Sequence, residues 1–289
     1  MLFGVCLVFV LNCSSNNSIE LGDEKGHLVI IGGGSRPDRV TRTIADLAKL
    51  HNEGIIVVIP NASATPDRTG RSHAAELAQM TDNKVTYVVV TPENVDQDST
   101  LKNFEGVGGI FFSGGSQSRL TSLLNGTRLL TRLREIYNEG GVISGSSAGA
   151  AIMSDLMING GEIRYSGDDR LKTIEAANID YEKGFGFMKG VIIDQHFVKR
   201  QRENRLISIV LDRPEYIGIG IDEQTAIIRK PDNTFEVIGN SNVLVFDAVQ
   251  ADLSPFDSTK TYIHSANNIK FHVLKEGQVF DLKNLKVIK

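Results

Sequence analysis

The sequence predicts a doubly wound α/β domain built on a mostly parallel sheet. Three observations lead there. Apolar runs of strand length alternate with stretches of helical spacing through the first half of the chain. Those runs, such as "HLVII", "IIVVI" and "GIFF", are continuous rather than alternating, which marks strands covered on both faces. The glycine-rich polar segments fall where such runs end, the side on which open parallel sheets hold ligands.

The elements follow in order. "HLVIIGGG" (27–34) is a buried strand ending in glycines. In "RVTRTIADLAKLHNEG" (39–54), Val40, Ile44, Leu47, Ala48 and Leu50 recur at helical spacing, and Gly54 ends the helix. "IIVVIP" (55–60) is a second strand, closed by Pro60, and "GRSHAAELAQMTDN" (70–83) a second helix. "KVTYVVV" (84–90) and "VGGIFFSGG" (107–115) are further strands; "LTRLREIYNEG" (130–140) is a helix leading into the strand "GVIS" (141–144). Residues 157–190 are polar and glycine-punctuated, and are expected as a loop region beside the site. "GVIID" (190–194) is a strand running into a helix over "QHFVKRQRENRLISIVLD". The short strands "YIGIGID", "TAIIRK", "TFEVIG" and "NVLVFDA" then form an antiparallel portion, expected on the same sheet.

Composition narrows the function classes. The chain has 289 residues and a net charge of −4, without the basic stripe that nucleic-acid binding requires. Its two cysteines, Cys6 and Cys13, both lie at the N-terminus, so no disulfide framework, cysteine nucleophile or cysteine-based metal site is expected in the folded part. "MLFGVCLVFVL" is too short to span a bilayer and reads as the apolar core of a signal peptide, followed by a polar tether. Val10-Leu11-Asn12-Cys13 resembles a bacterial lipobox, with Cys13 the lipidated residue, although Asn12 replaces the usual small residue and no Lys or Arg precedes the run. A plain cleaved signal and a misplaced start codon are the alternatives. Residues 1–26 are thus assigned to export and tethering, with membrane contact only through a lipid anchor, and 27–289 to one domain.

The chemistry concentrates at strand ends. Gly145-Ser146-Ser147-Ala148-Gly149 fits Gly-x-Ser-x-Gly. A serine on a sharp strand-to-helix turn needs small neighbours on either side, and the following helix aims free N–H groups at it. Ser147 is therefore the candidate nucleophile; a phosphate-binding turn or a close-packed junction is the bland alternative, and no Gly-Lys-Ser/Thr follows to support a phosphate loop. Of six histidines, only His196 ends a buried strand within a dense polar cluster, as a serine's base would. "GIGIDEQTA" offers Asp222 and Glu223 as the acid that orients the imidazole; adjacent strand positions face opposite ways, so one of the two faces His196. Ala148 N–H and a glycine N–H of "SGGSQ", Gly115 being favoured, are candidate oxyanion donors. The order is serine, histidine, acid. An esterase of the α/β-hydrolase type would need a later histidine, His264 or His272. A non-catalytic peptide-binding lipoprotein on the same scaffold is a further reading.

Four ordered motifs, "FFSGGSQSRL", "ISGSSAGAA", "DQHFVKRQRENRL" and "GIGIDEQTA", resemble peptidase family S51, on its cyanophycinase-like branch. The resemblance implies a flavodoxin-like fold related to class I glutamine amidotransferases, and a Ser147–His196–Glu223 triad with Gly115 and Ala148 as oxyanion donors. It implies that Gln117, Asp194, Gln195, Arg200, Arg202 and Arg205 line or support the substrate pocket, that no cofactor or metal takes part, and that the partners are peptide substrates and a second copy of the chain in a homodimer. The implied reaction is hydrolysis of β-aspartyl or aspartate-containing peptides through an acyl-enzyme. An arginine cluster with an aspartate suits a carboxylate-bearing peptide end, although the spacing of the three arginines along a helix would put some of them in solvent. The loop "IGGGSRPDRV" departs from that branch by adding Arg36 and Arg39, and an altered pocket is expected there.

Overall fold

The computed structural model describes residues 23–164, 173–254 and 261–289. Cys6, Cys13 and the signal-like segment lie outside the described residues. The strands are β1 His27–Ile31, β2 Ile55–Ile59, β3 Val85–Tyr87, β4 Val107–Phe112, β5 Val142–Ser146, β6 Leu156–Glu162, β7 Ile179–Lys183, β8 Val191–Gln195, β9 Ile217–Ile221, β10 Thr225–Arg229, β11 Thr234–Gly239, β12 Val243–Asp247, β13 Asp252–Leu253, β14 Ala266–Asn267, β15 Lys270–Leu274, β16 Val279–Asp281 and β17 Lys286–Val287. The helices are α1 Asp38–Ala48, α2 Pro66–Ala78, α3 Asp98–Leu101, α4 Gln117–Leu124, α5 Arg128–Glu139, α6 Ala148–Ala151 and α7 Glu203–Asp212.

The main sheet has nine strands in the order β17-β16-β11-β10-β1-β5-β4-β2-β3. Its centre and one wing, β1-β5-β4-β2-β3, are parallel; β10, β11, β16 and β17 extend it antiparallel from β1. The continuous apolar runs explain the layering. On β1, Val29 and Ile31 join the core under α1, while Leu28 and Ile30 join the larger core on the other face, with Leu120 of α4 and Leu133 of α5. Each fully buried aliphatic side chain of this kind favours folding by about 1.5–3 kcal/mol.

The C-terminal strands do not all join that sheet, as expected, but divide between two. β10 and β11 join the main sheet, whereas β15-β12-β9-β8 form a second one, with β8 parallel to β9 and the rest antiparallel. The division follows from the side chains. Ile217, Ile219 and Ile221 of β9 face the large core, together with Ile227, Phe235 and Phe280 of the main sheet. The intervening Gly218 and Gly220 face α7 and Phe197; a Cβ on Gly220 would stand 2.2 Å from the Phe197 ring. The second sheet therefore packs face-on against the antiparallel wing of the first, with α7 outside it.

Three further expectations are corrected. Of residues 157–190, where 165–172 lie outside the described residues, the described part is not simply a loop: β6 and β7 pair as an irregular antiparallel hairpin. The second helix starts at Pro66, since proline suits a first helical position, and not at residue 70. The helix expected from the DQHF segment begins only at Glu203, because His196 and Gln201 hold left-handed backbone (φ 52° and 54°) and break the run.

Candidate active site

Ser147 sits between β5 and α6 with φ 55° and ψ −110°. A non-glycine residue held there stores on the order of 1–3 kcal/mol of strain. Its surroundings over-determine the turn. Its N–H donates to the Ile31 carbonyl at 3.0 Å, and its carbonyl accepts from Ala150 and Ala151 N–H. The flanking glycines allow two close backbone approaches: a Cβ on Gly145 would stand 2.2 Å from the Gly149 oxygen, and one on Gly149 2.4 Å from the Phe112 oxygen.

His196 follows β8 and Glu223 follows β9, so the second sheet delivers both toward the serine carried by the first. Ser147 Oγ lies 2.8 Å from His196 Nε2, and His196 Nδ1 lies 2.6 Å from Glu223 Oε1. A carboxylate only accepts, so Nδ1 carries the proton and Nε2 is free to accept from the serine hydroxyl. Burial pushes the His196 pKa below the ordinary histidine value, against the upward pull of Glu223, and nearby Arg200 and Arg202 push the same way as burial. The imidazole is thus held neutral near pH 7. Of the two adjacent carboxylates, Glu223 faces the ring; Asp222 points away, accepting from Lys199 N–H at 2.9 Å and Ser241 Oγ at 2.7 Å.

The β1 loop ties these segments together, a feature that sequence reasoning missed. Gly32 O accepts from His196 N–H at 2.7 Å, and Gly33 O from Gln224 N–H at 2.9 Å. Its signal was the unexplained triple glycine Gly32-Gly33-Gly34.

The candidate oxyanion donors flank Ser147. Ala148 opens α6, where an N–H has no intrahelical acceptor. Gly114 lies against the serine: a Cβ on it would stand 3.4 Å from Ser147 Cβ and 4.0 Å from Oγ. The next peptide carries the Gly115 N–H, and Gly115 itself rests on the Ala62 carbonyl, 2.1 Å from where its Cβ would be, with φ 141°.

The remaining pocket residues divide. Gln117 is partly buried and its Nε2 donates to the Ile158 carbonyl at 3.0 Å. Asp194, Gln195, Arg202 and Arg205 are buried and bonded to one another. Arg205 Nε donates to Asp194 Oδ2 at 2.7 Å and its Nη2 to Oδ1; Arg202 Nη1 donates to the Gln195 carbonyl at 2.8 Å and to Oε1. The expectation of solvent exposure therefore fails for Arg202 and Arg205 and holds for Arg200, whose N–H caps the His196 carbonyl at 2.9 Å. Arg202 precedes α7 rather than lying on it, so helical spacing does not apply to it. Arg36 and Arg39 are both engaged by the framework: Arg36 pairs with Glu76 at 2.6 Å over the Phe111 ring, and Arg39 with Asn240 at 2.7 Å and Glu276 at 2.8 Å. His264 and His272 lie elsewhere, His264 on Asp212 at 3.1 Å and His272 against the Phe280 ring. Among the described residues no three His, Cys, Asp or Glu side chains are grouped to hold a metal ion.

A serine, an imidazole and a carboxylate in one hydrogen-bonded line at strand ends is the arrangement of serine-type hydrolases. The family model described as "Peptidase family S51" matches residues 28–237, and the chain belongs to that family, which makes it a serine-type peptidase. It is 32% identical over 285 residues to a cyanophycinase of Synechococcus elongatus, covering 94% of this chain and 84% of that protein. It is 32% identical over 234 residues to one of Geminocystis herdmanii, covering 80% and 84%. In structure it is similar to a peptidase from an acI-B1 Actinobacterium, with a TM-score of 0.65 and 22% identity over 90% of this chain and 98% of that one, a likeness of fold.

Proposed function

We propose that this chain is a serine exopeptidase of the cyanophycinase type, hydrolysing β-aspartyl or aspartate-containing peptides through an acyl-enzyme. The observation that carries the reading is the line of contacts from Ser147 Oγ to His196 at 2.8 Å and on to Glu223 at 2.6 Å. Ser147 Oγ attacks the scissile carbonyl carbon as Nε2 takes its proton. Glu223 holds the imidazole's orientation and offsets the charge it gains. The carbonyl oxygen, now an oxyanion, is met by the N–H groups of Ala148 and Gly115. On collapse the carbon–nitrogen bond breaks, the amine leaves with the proton from Nε2, and the acyl group remains on Oγ. Water, deprotonated by the same nitrogen, then attacks the ester and frees Ser147. Exposed Arg200 beside the histidine suits an acidic peptide.

The test is turnover of β-aspartyl-arginine, α-aspartyl dipeptides and an aspartate polymer bearing arginine side chains, with products identified by mass. Wild-type chain is expected to release β-aspartyl-arginine from the polymer or free aspartate from the dipeptides, and Ser147→Ala to release neither while melting at the same temperature. Turnover by the alanine variant would remove Ser147 from the role of nucleophile.

A further inference from the structure

The motif "FFSGGSQSRL" contains an arginine to which the proposed reaction assigns nothing. Arg119 lies in the first turn of α4, its side chain largely in solvent, yet its Nη1 donates to the Ala62 carbonyl at 2.6 Å. That carbonyl sits under the turn beside the nucleophile. It also accepts the Ser116 N–H at 2.9 Å, and Gly115 rests on it so closely that a Cβ there would stand 2.1 Å away.

Backbone bonds anchor the turn at its ends, Ser113 N–H to the Ile59 carbonyl at 3.2 Å and Ser116 N–H to Ala62, and inside it the Ser113 hydroxyl holds one carbonyl, that of Gly114 at 3.2 Å. Between them stand two glycines, and the peptide joining them carries the N–H that the proposed mechanism aims at the oxyanion. A glycine-glycine peptide has little steric resistance to reorientation. If it turned over, the N–H that the proposed mechanism uses would be withdrawn. The position of this peptide therefore depends on the Ser113 hydroxyl, which donates to its carbonyl at 3.2 Å, and on the surface beneath it, the Ala62 carbonyl.

The geometry points to Arg119 as a positioning residue for the oxyanion turn. By bonding Ala62 O it fixes the platform on which Gly115 lies, and so keeps the Gly114–Gly115 peptide oriented toward Ser147. A cation suits this duty, since a hydrogen bond from a charged donor is about twice as strong as a neutral one. Arg119 touches neither Ser147 nor His196 in this role; it acts through Ala62 and Gly115. The inference rests on the reading of Ser147 as nucleophile.

The experiment compares full-length wild type, Arg119→Ala, Arg119→Gln and Arg119→Lys, with Ser147→Ala as control. Four quantities are read: kcat and KM on β-aspartyl-arginine, the rate of labelling by a fluorophosphonate, and the melting temperature. Losing one oxyanion donor outright costs about 10²–10³-fold in kcat, so a loosened one is expected to cost about 10–100-fold in Arg119→Ala and Arg119→Gln. KM is expected to hold within about twofold, since an interaction made only in the transition state leaves ground-state binding alone. Labelling, which also forms a tetrahedral adduct with its oxygen in the same hole, is expected to slow in proportion. Arg119→Lys keeps a cationic donor and is expected to recover most of the rate, and all variants to melt as wild type does. Wild-type labelling rate in Arg119→Ala, or a raised KM with unchanged kcat, overturns the assignment. Equal labelling of Ser147→Ala and wild type would instead sink the nucleophile reading on which it stands.

Discussion

Gly33 lies directly against the His196 ring: a Cβ on it would stand 2.3 Å from Cε1, 2.6 Å from Nε2 and 2.8 Å from Nδ1. Its φ of 109° is one that residues with a side chain rarely adopt. The glycine thus serves two purposes. It lets the chain turn after β1, and it leaves the imidazole room to stand between Ser147 and Glu223.

Gly33→Ala is therefore expected to displace the ring rather than unfold the protein, because the methyl meets the edge of a side chain. A displacement of about 1 Å in a reacting group can cost about 10²-fold in rate, so kcat should fall by at least that much with KM little changed. Steady-state kinetics with a circular dichroism spectrum decide it. A variant with wild-type kcat would show that the ring reaches its working position without the glycine's help.

The downward shift of His196 sets a pH dependence. Its charged form is disfavoured by burial, so the neutral base persists below the ordinary value of 6.5. Activity governed by this base is present above the shifted value and lost as pH falls through it. The acid limb of kcat/KM should therefore lie below pH 6.5. Glu223 opposes the shift, both by its hydrogen bond and by its charge. Glu223→Gln removes that upward pull and should carry the limb to still lower pH, while kcat drops by about 10³–10⁴-fold because the imidazole loses its enforced tautomer. A limb that moves upward in this variant would assign the titration to another group.

The buried pair beside the histidine predicts a stability effect. Asp194 is 1% exposed and Arg205 4%, and Asp194 accepts from both Arg205 and the Gln195 N–H. Removing one partner of such a pair leaves an uncompensated buried charge and costs about 3–5 kcal/mol. Asp194→Leu should lower the unfolding free energy by that amount, read as a lower denaturation midpoint at unchanged m-value. A loss under about 1 kcal/mol would mean that water reaches Arg205 and solvates it, as at an exposed pair.

Much of this was legible in the sequence, and what was not has physical reasons. The continuous runs of β1, β2, β4 and β5 identify buried parallel strands because both faces demand apolar residues. Ser147 is legible because its turn excludes side chains at Gly145 and Gly149. The second sheet was hidden because "IGIGI" reads alike in either sheet; only the packing of Gly218 and Gly220 against α7 and Phe197 distinguishes them. The late start of α7 was hidden because the left-handed residues His196 and Gln201 are not glycines. The β6–β7 hairpin was hidden because its register shifts between Ile158 and Glu162, and side chains from elsewhere hold its carbonyls.

That last feature ties β6 to segments on either side of the candidate site. Its Ile158 carbonyl accepts from Gln117, two residues after the Gly115 turn, and its Gly160 carbonyl accepts from Arg205 Nη1 at 3.0 Å, bonded in turn to Asp194. The strand therefore spans the gap between the oxyanion side of the site and the histidine side. Gly160 is partly exposed, and a Cβ built on it meets no atom within 4 Å, so a side chain there would enter open space without strain. Gly160→Leu should leave the melting temperature unchanged and hinder substrates that carry bulk beside the scissile bond. Expected is a rise in KM for a branched β-aspartyl-arginine peptide, with unbranched α-aspartyl dipeptides and fluorophosphonate labelling nearly unaffected, since one misfitting group in a pocket changes kcat/KM by about 10–200-fold. Equal kinetics on both substrates would place the open space outside the cleft and leave β6 as a brace alone.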